Sequence, residues 1–229
     1  MGHWWFVARR EIIVDIIESR LRLAPASKIL DVGCGVGGTL VSLSDRYEVY
    51  GTDTSSLAIE FCRKRGLKNV FECSLRGFPL ADMEFDLIML LDVIEHVDDD
   101  QELLSEAFRR LKKGGVVLVT VPAYQFLWTR HDDLNHHKRR YVAGRLRSVL
   151  LNSGFLVDRL SYFNTLLFPL AFVTRLLHKM LDSGSQSELS IPPSFFNNTL
   201  RAIFSLERLF LRRLSFWFGL SILAIARKH

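Results

Sequence analysis

Hydrophobic residues at helical spacing mark the beginning of the chain. The apolar residues that recur every three or four positions are Ile12, Ile13, Ile16, Ile17 and Leu21. This spacing forms one apolar face of a helix, and Pro25 ends it. We therefore predict an amphipathic N-terminal helix that covers part of a core.

Apolar strand-like runs and helical segments then alternate. The predicted strands are a short run that begins at Ile29 and the runs Val49 to Asp53, Asn69 to Glu72, Phe85 to Leu91 and Val116 to Val121. The predicted helices are Ser55 to Arg65 and Asp98 to Leu111, which Gly114 and Gly115 stop. This alternation predicts a parallel sheet with helices on both faces.

Two more strand-like runs, Phe155 to Tyr162 and Leu220 to Ala226, are separated by a long stretch of helical and loop character. We predict that the last strand returns antiparallel beside the one before it and that the intervening stretch is a helical insertion. The predicted fold is an α/β, Rossmann-like, seven-stranded and mostly parallel sheet.

The predicted organisation is one domain over residues 1–229, which is a suitable length for a single α/β core. Residues 1–26 form an N-terminal helical lid, and residues 27–162 form the cofactor-binding core. Residues 163–216 form the helical insertion, and residues 217–229 hold the closing strand.

Charge and cysteine content indicate the kinds of binding partner and the redox compartment to expect. The net charge is +5, and basic residues cluster in 130–147 and 201–213. These clusters are either solvated helix faces or a surface for nucleic acid, anionic lipid or a phosphorylated acceptor. Cys34, Cys62 and Cys73 lack metal-ligand spacing, which favours a reducing cytoplasm.

No segment has the pattern of a secretory signal or of a conventional transmembrane helix. The apolar run from Leu166 to Val173 contains Pro169 and ends at Thr174. A spanning helix needs about 20 apolar residues. We expect a cytoplasmic protein, with peripheral contact at a membrane as an additional option.

A glycine turn follows the first predicted strand and predicts a cofactor site. Gly33, Gly35 and Gly38 have the spacing of a dinucleotide-binding turn, and Asp53 fits the ribose-binding acid of that motif. Asp31 also precedes a Gly33, Gly35 and Gly37 series. A carboxylate there suits a cationic ligand such as S-adenosylmethionine better than a pyrophosphate.

Several motifs in a fixed order along the chain support the S-adenosylmethionine interpretation. They are Ile-Leu-Asp-Val-Gly-Cys-Gly-Val-Gly, Val-Tyr-Gly-Thr-Asp, Phe-Asp-Leu-Ile, Leu-Asp-Val-Ile-Glu-His-Val and Leu-Lys-Lys-Gly-Gly. With them the chain resembles the class I S-adenosylmethionine-dependent methyltransferases, and looks most like the branch of ubiquinone-biosynthesis-type O-methyltransferases. The resemblance covers residues 28–121 and the two closing strands.

The resemblance implies roles for residues around the cofactor. Asp53 would accept both ribose hydroxyls, although it also fits a cap of the helix that begins near Ser55. The family often has an acidic residue near the adenine, where this chain has Ser74, so Ser74 or the Leu75 N–H would contact that ring. The implied methionine site is lined by backbone atoms of Leu91 and Asp92.

Histidines near the ends of the fourth and fifth strands are candidate bases. His96, His131 and His137 could each take a proton near neutral pH. His96 could instead tie down its own loop. We predict no metal, because the His and Asp residues after the fifth strand match no standard ligand spacing.

Acceptor-binding candidates flank these histidines. Arg139 and Arg140 could bind an anionic acceptor by fork geometry, with Tyr141 beside them. The same segment also fits a basic helix start that faces solvent. Trp5 belongs to an aromatic start of the chain that could close over the acceptor or simply pack.

The insertion has an amphipathic pattern. Its apolar face comprises Leu200, Ile203, Phe204, Phe210, Leu211 and Leu214, and its cationic face comprises Arg201, Arg208 and Arg212. This pattern is typical of a helix on a membrane surface, and residues 163–214 would supply that contact. A lid or a dimer contact buried against protein explains the pattern equally well.

These observations predict an enzyme: a methyltransferase that uses S-adenosylmethionine to methylate oxygen on a small, lipid-linked or saccharide-linked acceptor. The alternatives are a non-catalytic, membrane-associated partner subunit and a dinucleotide-dependent oxidoreductase. No amine-methylation motif of the Asn/Asp-Pro-Pro-Tyr type follows the fourth strand. The sequence does not favour a nucleic-acid partner, although methylation of RNA oxygen stays open.

Overall fold

The structure is a computed structural model that describes residues 3–80, 82–181 and 193–229, with backbone alone for 175–181. Residues 182–192, which belong to the predicted insertion, lie outside the described residues. Among the described residues no helix combines the length and the hydropathy needed to cross a bilayer.

A mixed seven-stranded sheet forms the centre of the fold, as predicted. The strands are β1 Lys28–Val32, β2 Glu48–Asp53, β3 Val70–Glu72, β4 Phe85–Leu91, β5 Leu111–Pro122, β6 Leu156–Phe163 and β7 Ser221–Arg227. Their order in the sheet is β3-β2-β1-β4-β5-β7-β6. The first five strands run parallel, and β7 is antiparallel to both β5 and β6.

Helices cover both faces of this sheet. They are α1 Trp4–Ile16, α2 Gly38–Leu43, α3 Ser56–Lys64, α4 Asp100–Arg110, α5 Arg130–Leu134, α6 Ala143–Asn152, α7 Phe168–Leu181 and α8 Ser194–Leu211. Because both faces are covered, a central strand reads as a continuous apolar run. In β4 every residue except Asp86 is buried.

The strand and helix limits differ slightly from the predictions around Leu111. We predicted that a helix would include Leu111 and that the next strand would begin at Val116. Leu111 instead pairs with Phe85 of β4, so the helix ends at Arg110 and β5 begins one residue later. Sheet pairing decides this boundary, and a local helical pattern does not reveal it.

The N-terminal helix and the last helix pack against each other. The predicted apolar face of α1 is buried, including Ile12, Ile13 and Ile16. From α8, Phe204 and Leu211 are buried in the same core. Helices α1 and α8 therefore form one layer over one face of the sheet.

The cationic face predicted for the insertion is largely neutralised by α1. Arg201 pairs with Glu11, and Arg212 pairs with Asp15. Of the predicted apolar face, Ile203, Phe210 and Leu214 remain exposed. The pattern therefore serves first to dock α8 on its own domain, because a periodicity does not say which surface a helix meets.

Candidate cofactor and acceptor site

The glycine loop after β1 has the backbone geometry that its sequence requires. Gly33, Gly35 and Gly37 have φ angles of 67°, 53° and 74°, a region that residues with a Cβ rarely adopt. A Cβ on Gly33 would lie 2.9 Å from Val93 Cγ2, whereas a Cβ on Gly35 would meet nothing within 4 Å. Gly35 therefore presents bare backbone to open space.

Asp53, at the end of β2, ties this loop to the next helix. Its Oδ2 accepts a hydrogen bond from the Gly35 N–H at 2.8 Å, and its Oδ1 accepts one from the Ser55 N–H at 2.9 Å. Ser55 in turn caps α3. Both sequence-based readings of Asp53 are compatible with this geometry, since each carboxylate oxygen can accept a further bond.

Asp31 is a buried carboxylate with an unused oxygen. It is 3% exposed, and its Oδ1 has no hydrogen-bond partner. Burial raises the pKa of Asp31 to about 7, although the nearby Arg9 guanidinium opposes the rise. An orphaned buried acceptor of this kind is suited to a donor or a cation on a ligand.

Asp92 lies directly after β4 and belongs to the same acidic group. Its φ is 56°, and its Oδ2 lies 2.7 Å from Arg9 Nη2. Its Oδ1 accepts a hydrogen bond from Thr120 Oγ1 at 3.0 Å. Leu91, the last residue of β4, is buried beside it.

Glu95 lies at the base of the adjoining loop. Its side chain is fully buried, and no other residue forms a hydrogen bond with either carboxylate oxygen. Burial and the nearby Asp92 charge raise the pKa of Glu95 well above its usual range. Asp31, Asp92 and Glu95 thus place three carboxylates near the carboxyl ends of β1 and β4, within reach of the Arg9 guanidinium.

The loop after β5 brings His137 against His96. The ring centroids lie 4.6 Å apart with the planes at 84°. His137 Nδ1 lies 2.8 Å from Asp132 Oδ1. Burial and the neighbouring His137 lower the pKa of His96. His131 is on α5 and is not part of this group of potential ligands.

Asp132 is a completely buried anchor for this loop. Arg140 binds it through two hydrogen bonds of 2.8 Å, and the Thr129 N–H donates to it at 2.7 Å. Burial alone would raise the pKa of Asp132, but His137 and Arg140 hold it well below its usual range. The arrangement fixes the His137 imidazole and leaves its Nε2 for other contacts.

The predicted acceptor-binding arginines are committed to the protein itself. Arg140 is buried, and its third hydrogen bond goes to the Ala123 carbonyl. Arg139 donates to the carbonyls of Val97 and Asp98. These contacts hold the loops after β4 and β5 together, which favours positioning roles over the anion-binding roles expected from the sequence.

Tyr141 also has a structural environment. It is fully buried, and its hydroxyl donates to Asp100 at 2.7 Å. Burial and the Asp100 hydrogen bond raise the pKa of Tyr141 above its usual range. Tyr141 therefore supports the loop after β4 through Asp100, and its acceptor-binding role stays a prediction.

The other predicted contacts lie near the edges of the site. Ser74 is exposed just beyond β3, and Leu75 is buried next to it. Trp5 is half-buried, and the Arg9 guanidinium carbon lies 5.1 Å from the centre of its ring. Trp5 thus lies over the residue that faces the acidic group.

Comparison with known proteins assigns the residues around the glycine loop to a known family of domains. Residues 30–119 match the family model described as "Methyltransferase domain". These residues contain the glycine loop, Asp53 and the segment after β4. The chain carries a class I S-adenosylmethionine-dependent methyltransferase domain.

Individual relatives agree with this family. Phosphoethanolamine N-methyltransferase 1 of Arabidopsis thaliana is 34% identical over 119 residues, covering 48% of this chain and 24% of that protein. A "Probable S-adenosylmethionine-dependent methyltransferase" of Mycolicibacterium smegmatis is 31% identical over 160 residues, covering 68% of this chain and 61% of that protein. The chain therefore spans less than two thirds of either relative.

Solved structures share the fold. A SAM-dependent methyltransferase from Archaeoglobus fulgidus superposes with a TM-score of 0.61 at 20% identity, covering 96% of this chain and 94% of that one. Phosphoethanolamine N-methyltransferase 2 of Haemonchus contortus, in complex with S-adenosyl-L-methionine, gives 0.59 at 19% identity, covering 95% and 52%. The O-methyltransferase branch is not singled out by these matches.

The residues of this domain fit S-adenosylmethionine. The cofactor carries an ammonium and a sulfonium, and the orphaned Asp31 Oδ1 lies in a group of three carboxylates. The bare backbone of Gly35 leaves room for close approach. Sequence analysis missed Arg9 as part of this site, although a charged residue on the buried face of α1 is a recognisable signal.

Proposed function

We propose that this methyltransferase transfers a methyl group to an oxygen of a small or lipid-linked acceptor. The bound cofactor supplies the methyl group as an electrophile. A methyl–oxygen bond forms as the methyl–sulfur bond breaks, and the hydroxyl proton leaves before or during attack. The protein's task is to hold the acceptor in line, away from water, next to a proton acceptor.

The observation that carries the proposal is the Asp132-anchored imidazole of His137. Asp132 accepts the Nδ1 proton, so the Nε2 of His137 can receive a proton from the acceptor. His137 lies against His96, which follows β4 where open α/β sheets bind ligands. Among the three predicted bases, His137 therefore has the most favourable support.

Nitrogen is the second candidate for the methylated atom. The phosphoethanolamine relatives act, by name, on an amine nitrogen. The carboxylates of Asp31, Asp92 and Glu95 also suit a site that attracts a cationic amine. In that case His137 would remove the ammonium proton before methyl transfer, because a protonated amine has no free electron pair.

A lipid-linked acceptor would be reached through peripheral membrane contact by residues 163–214. Large apolar side chains on α7 and α8 are exposed, including Leu170, Phe195 and Phe196. Arg208 and Arg213 are exposed on the same insertion. Apolar and basic side chains together favour an anionic bilayer surface in the cytoplasm.

The test combines cofactor binding with product identification. Calorimetry with S-adenosylhomocysteine should give one site per chain, and methyl-labelled cofactor should label the lipid or saccharide fraction of a cell extract. Acid-stable label on an amine would favour nitrogen, and label confined to RNA would overturn the acceptor class. Binding of S-adenosylhomocysteine without any turnover would favour the non-catalytic partner subunit, and binding of NADH alone would favour the oxidoreductase.

Sedimentation with vesicles containing phosphatidylglycerol tests the membrane contact separately. Phe195→Ala combined with Phe196→Ala should reduce the bound fraction, whereas Phe126→Ala removes an exposed aromatic side chain outside the insertion. Equal binding of all variants and of unsubstituted protein would contradict contact through α8.

A further inference from the structure

Three potential metal ligands converge from two separate loops. Glu95 and His96 follow β4, and His137 lies in the loop after β5. One ligand atom from each residue lies within 4.8 Å of the other two. The chain separation between His96 and His137 explains why residue spacing alone gives no sign of this group.

No other residue forms a hydrogen bond with the Glu95 carboxyl. Both oxygens are buried, the only hydrogen bond comes from the residue's own backbone, and Arg9 and Arg140 act on the carboxylate through space. A buried carboxylate in this condition is costly unless a cation or a donor reaches it. A bound cation between Glu95 and the two histidines would supply that compensation.

Each imidazole is already oriented by one of its two nitrogens. His137 uses Nδ1 for Asp132, and the His96 ring lies close to the backbone of Asn135. Histidines that bind metals almost always have such a contact, to a carboxylate or to a carbonyl, which fixes the ring and leaves the other nitrogen for the ion. The two histidines therefore both have the outer contacts of metal ligands.

We infer that Glu95, His96 and His137 bind a divalent transition-metal ion of the Zn²⁺ type. Two imidazoles and one carboxylate are a ligand set that such ions accept while keeping an open position. Metal bonds to these atoms are about 2.0–2.2 Å long, so the donors must come closer together on binding. His96 is exposed and its side chain has room to make this adjustment.

The catalytic consequence rests on the proposed function. A hydroxyl of the acceptor bound at the open position would lose its proton to water at a lower pH than a free hydroxyl. His137 would then serve as a ligand, and the ion would take over the activation of the acceptor. The binding itself does not depend on the identity of that acceptor.

Cobalt is a suitable probe because Co²⁺ bound by imidazole and carboxylate absorbs visible light. The full chain, first treated with a chelator, is titrated with Co²⁺ by absorption and with Zn²⁺ by calorimetry. We expect one ion per chain. His96→Ala and His137→Ala should each weaken binding at least tenfold. Asp132→Asn should weaken it by about 10–100-fold, because an amide no longer fixes the proton on Nδ1 of His137.

His136→Asn is the matched control. His136 is an exposed histidine in the same turn, outside the group of ligands, and asparagine tolerates its φ of 56°. This variant should bind Co²⁺ and Zn²⁺ like the unsubstituted chain. A matching loss in His136→Asn, or unchanged binding after His96→Ala combined with His137→Ala, would overturn the metal site.

Titration of the same samples with S-adenosylhomocysteine separates the two proposals. Metal binding without S-adenosylhomocysteine binding would leave the metal site standing and remove the proposed function. Binding of S-adenosylhomocysteine without any Co²⁺ absorption band or Zn²⁺ heat would overturn the metal site and leave the proposed function standing. For each variant, retained S-adenosylhomocysteine binding also reports that the chain is folded.

Discussion

Arg9 and Asp92 form an ion pair that joins the N-terminal helix to the carboxyl end of β4. Arg9 Nη2 lies 2.7 Å from Asp92 Oδ2, and the same nitrogen donates to Thr120 Oγ1 at 2.9 Å. Both side chains are mostly shielded from solvent, at 14% and 24% exposure. The pair therefore fastens α1 over the acidic part of the cofactor site.

Replacing Arg9 by alanine should lower both stability and cofactor affinity. Asp92 would lose its cation, and Asp31 and Glu95 would lose a favourable nearby charge. We expect a loss of about 1–3 kcal/mol in the free energy of unfolding. Urea denaturation and calorimetry with S-adenosylhomocysteine at pH 7 measure the two effects, and Arg10→Ala is the control that removes one charge from the same helix while keeping the Asp92 pair.

Asp31 should make stability depend on pH. The ordinary pKa of an aspartate is 3.8, whereas the pKa of Asp31 in the folded chain is about 7. Below both values the residue is protonated in both states and has no effect. As pH rises from about 4 through 7, the unfolded state releases the proton first, so the folded state loses stability, by a total on the order of 2–4 kcal/mol above pH 7.

Asp31→Asn should therefore stabilise the chain at pH 8 and have little effect at pH 4. The same substitution should weaken S-adenosylhomocysteine binding, since the amide cannot offer a charged partner to the ammonium group. Urea denaturation at both pH values is the measurement. An equal change in stability at pH 4 and pH 8 would show that ionisation of Asp31 is not the cause.

Gly35→Ala should lower the affinity for S-adenosylhomocysteine much more than it lowers the stability of the fold. The added Cβ meets no atom within 4 Å, but φ is 53°, so we expect a cost of about 1 kcal/mol from the left-handed backbone. The Cβ would also fill space that faces the cofactor, and S-adenosylhomocysteine affinity should fall by at least tenfold.

Gly114→Ala is the matched control for this substitution. Gly114 also has a positive φ, of 77°, and open space around its Cβ position, but it lies in β5 away from the glycine loop. The Gly114→Ala variant should have a thermal stability similar to that of Gly35→Ala. Its affinity for S-adenosylhomocysteine should equal that of the unsubstituted chain. A parallel loss of affinity in both variants would point to a general effect of strain.

Asp132→Asn should destabilise the loop after β5 and alter catalysis. Removing the charge leaves the buried Arg140 without its anion, at a cost of about 3–5 kcal/mol near pH 7. Because the pKa of Asp132 is held below its usual range, its stabilising effect is fully present above the unfolded pKa of about 4, declines below it, and is lost as pH falls through the lower folded pKa.

The turnover of Asp132→Asn should also have a changed pH profile, because the asparagine no longer sets the protonated nitrogen of His137. His131→Ala, in the same helical turn, should keep the profile of the unsubstituted chain. Rates measured from pH 5.5 to pH 9 with labelled cofactor make the comparison. A uniform fall in rate at every pH would indicate a structural role alone.

Phe204→Ala should loosen the layer formed by α1 and α8. Phe204 is fully buried and contacts the rings of Trp4 and Phe163. We expect a loss of about 3–5 kcal/mol in the free energy of unfolding. Phe195→Ala, on an exposed side chain of the same helix, should stay within about 0.5 kcal/mol of the unsubstituted chain.

The sequence was sufficient to predict the sheet and the cofactor loop. Both depend on local patterns: the apolar run of Phe85–Leu91 marks a strand covered on both faces, and Gly33, Gly35 and Gly37 mark a backbone with positive φ. The seven strands and the antiparallel last strand are confirmed. The order of β7 between β5 and β6 was not specified, since the pattern gives pairing partners only for neighbouring elements.

The acceptor side was harder to predict because it depends on contacts between distant residues. Arg140 was expected to bind an acceptor, yet it is buried against Asp132. Thr129 and Asp132 have the spacing of a capping box. The start of helix α5 could therefore be predicted from the sequence. No local signal places His137 next to His96, because the turn between α5 and Arg140 decides that contact.

The position of β7 makes the sheet depend on a strand that follows its two neighbours in the chain. β7 comes after β5 and β6, yet it lies inside the sheet and bonds to β5 on one side and β6 on the other. Before β7 pairs, β5 has an open edge, which is a template for association with other chains, and β6 has no partner strand in the sheet. The seven-residue strand β7 covers the edge of β5 and attaches β6, which becomes the edge strand of the finished sheet.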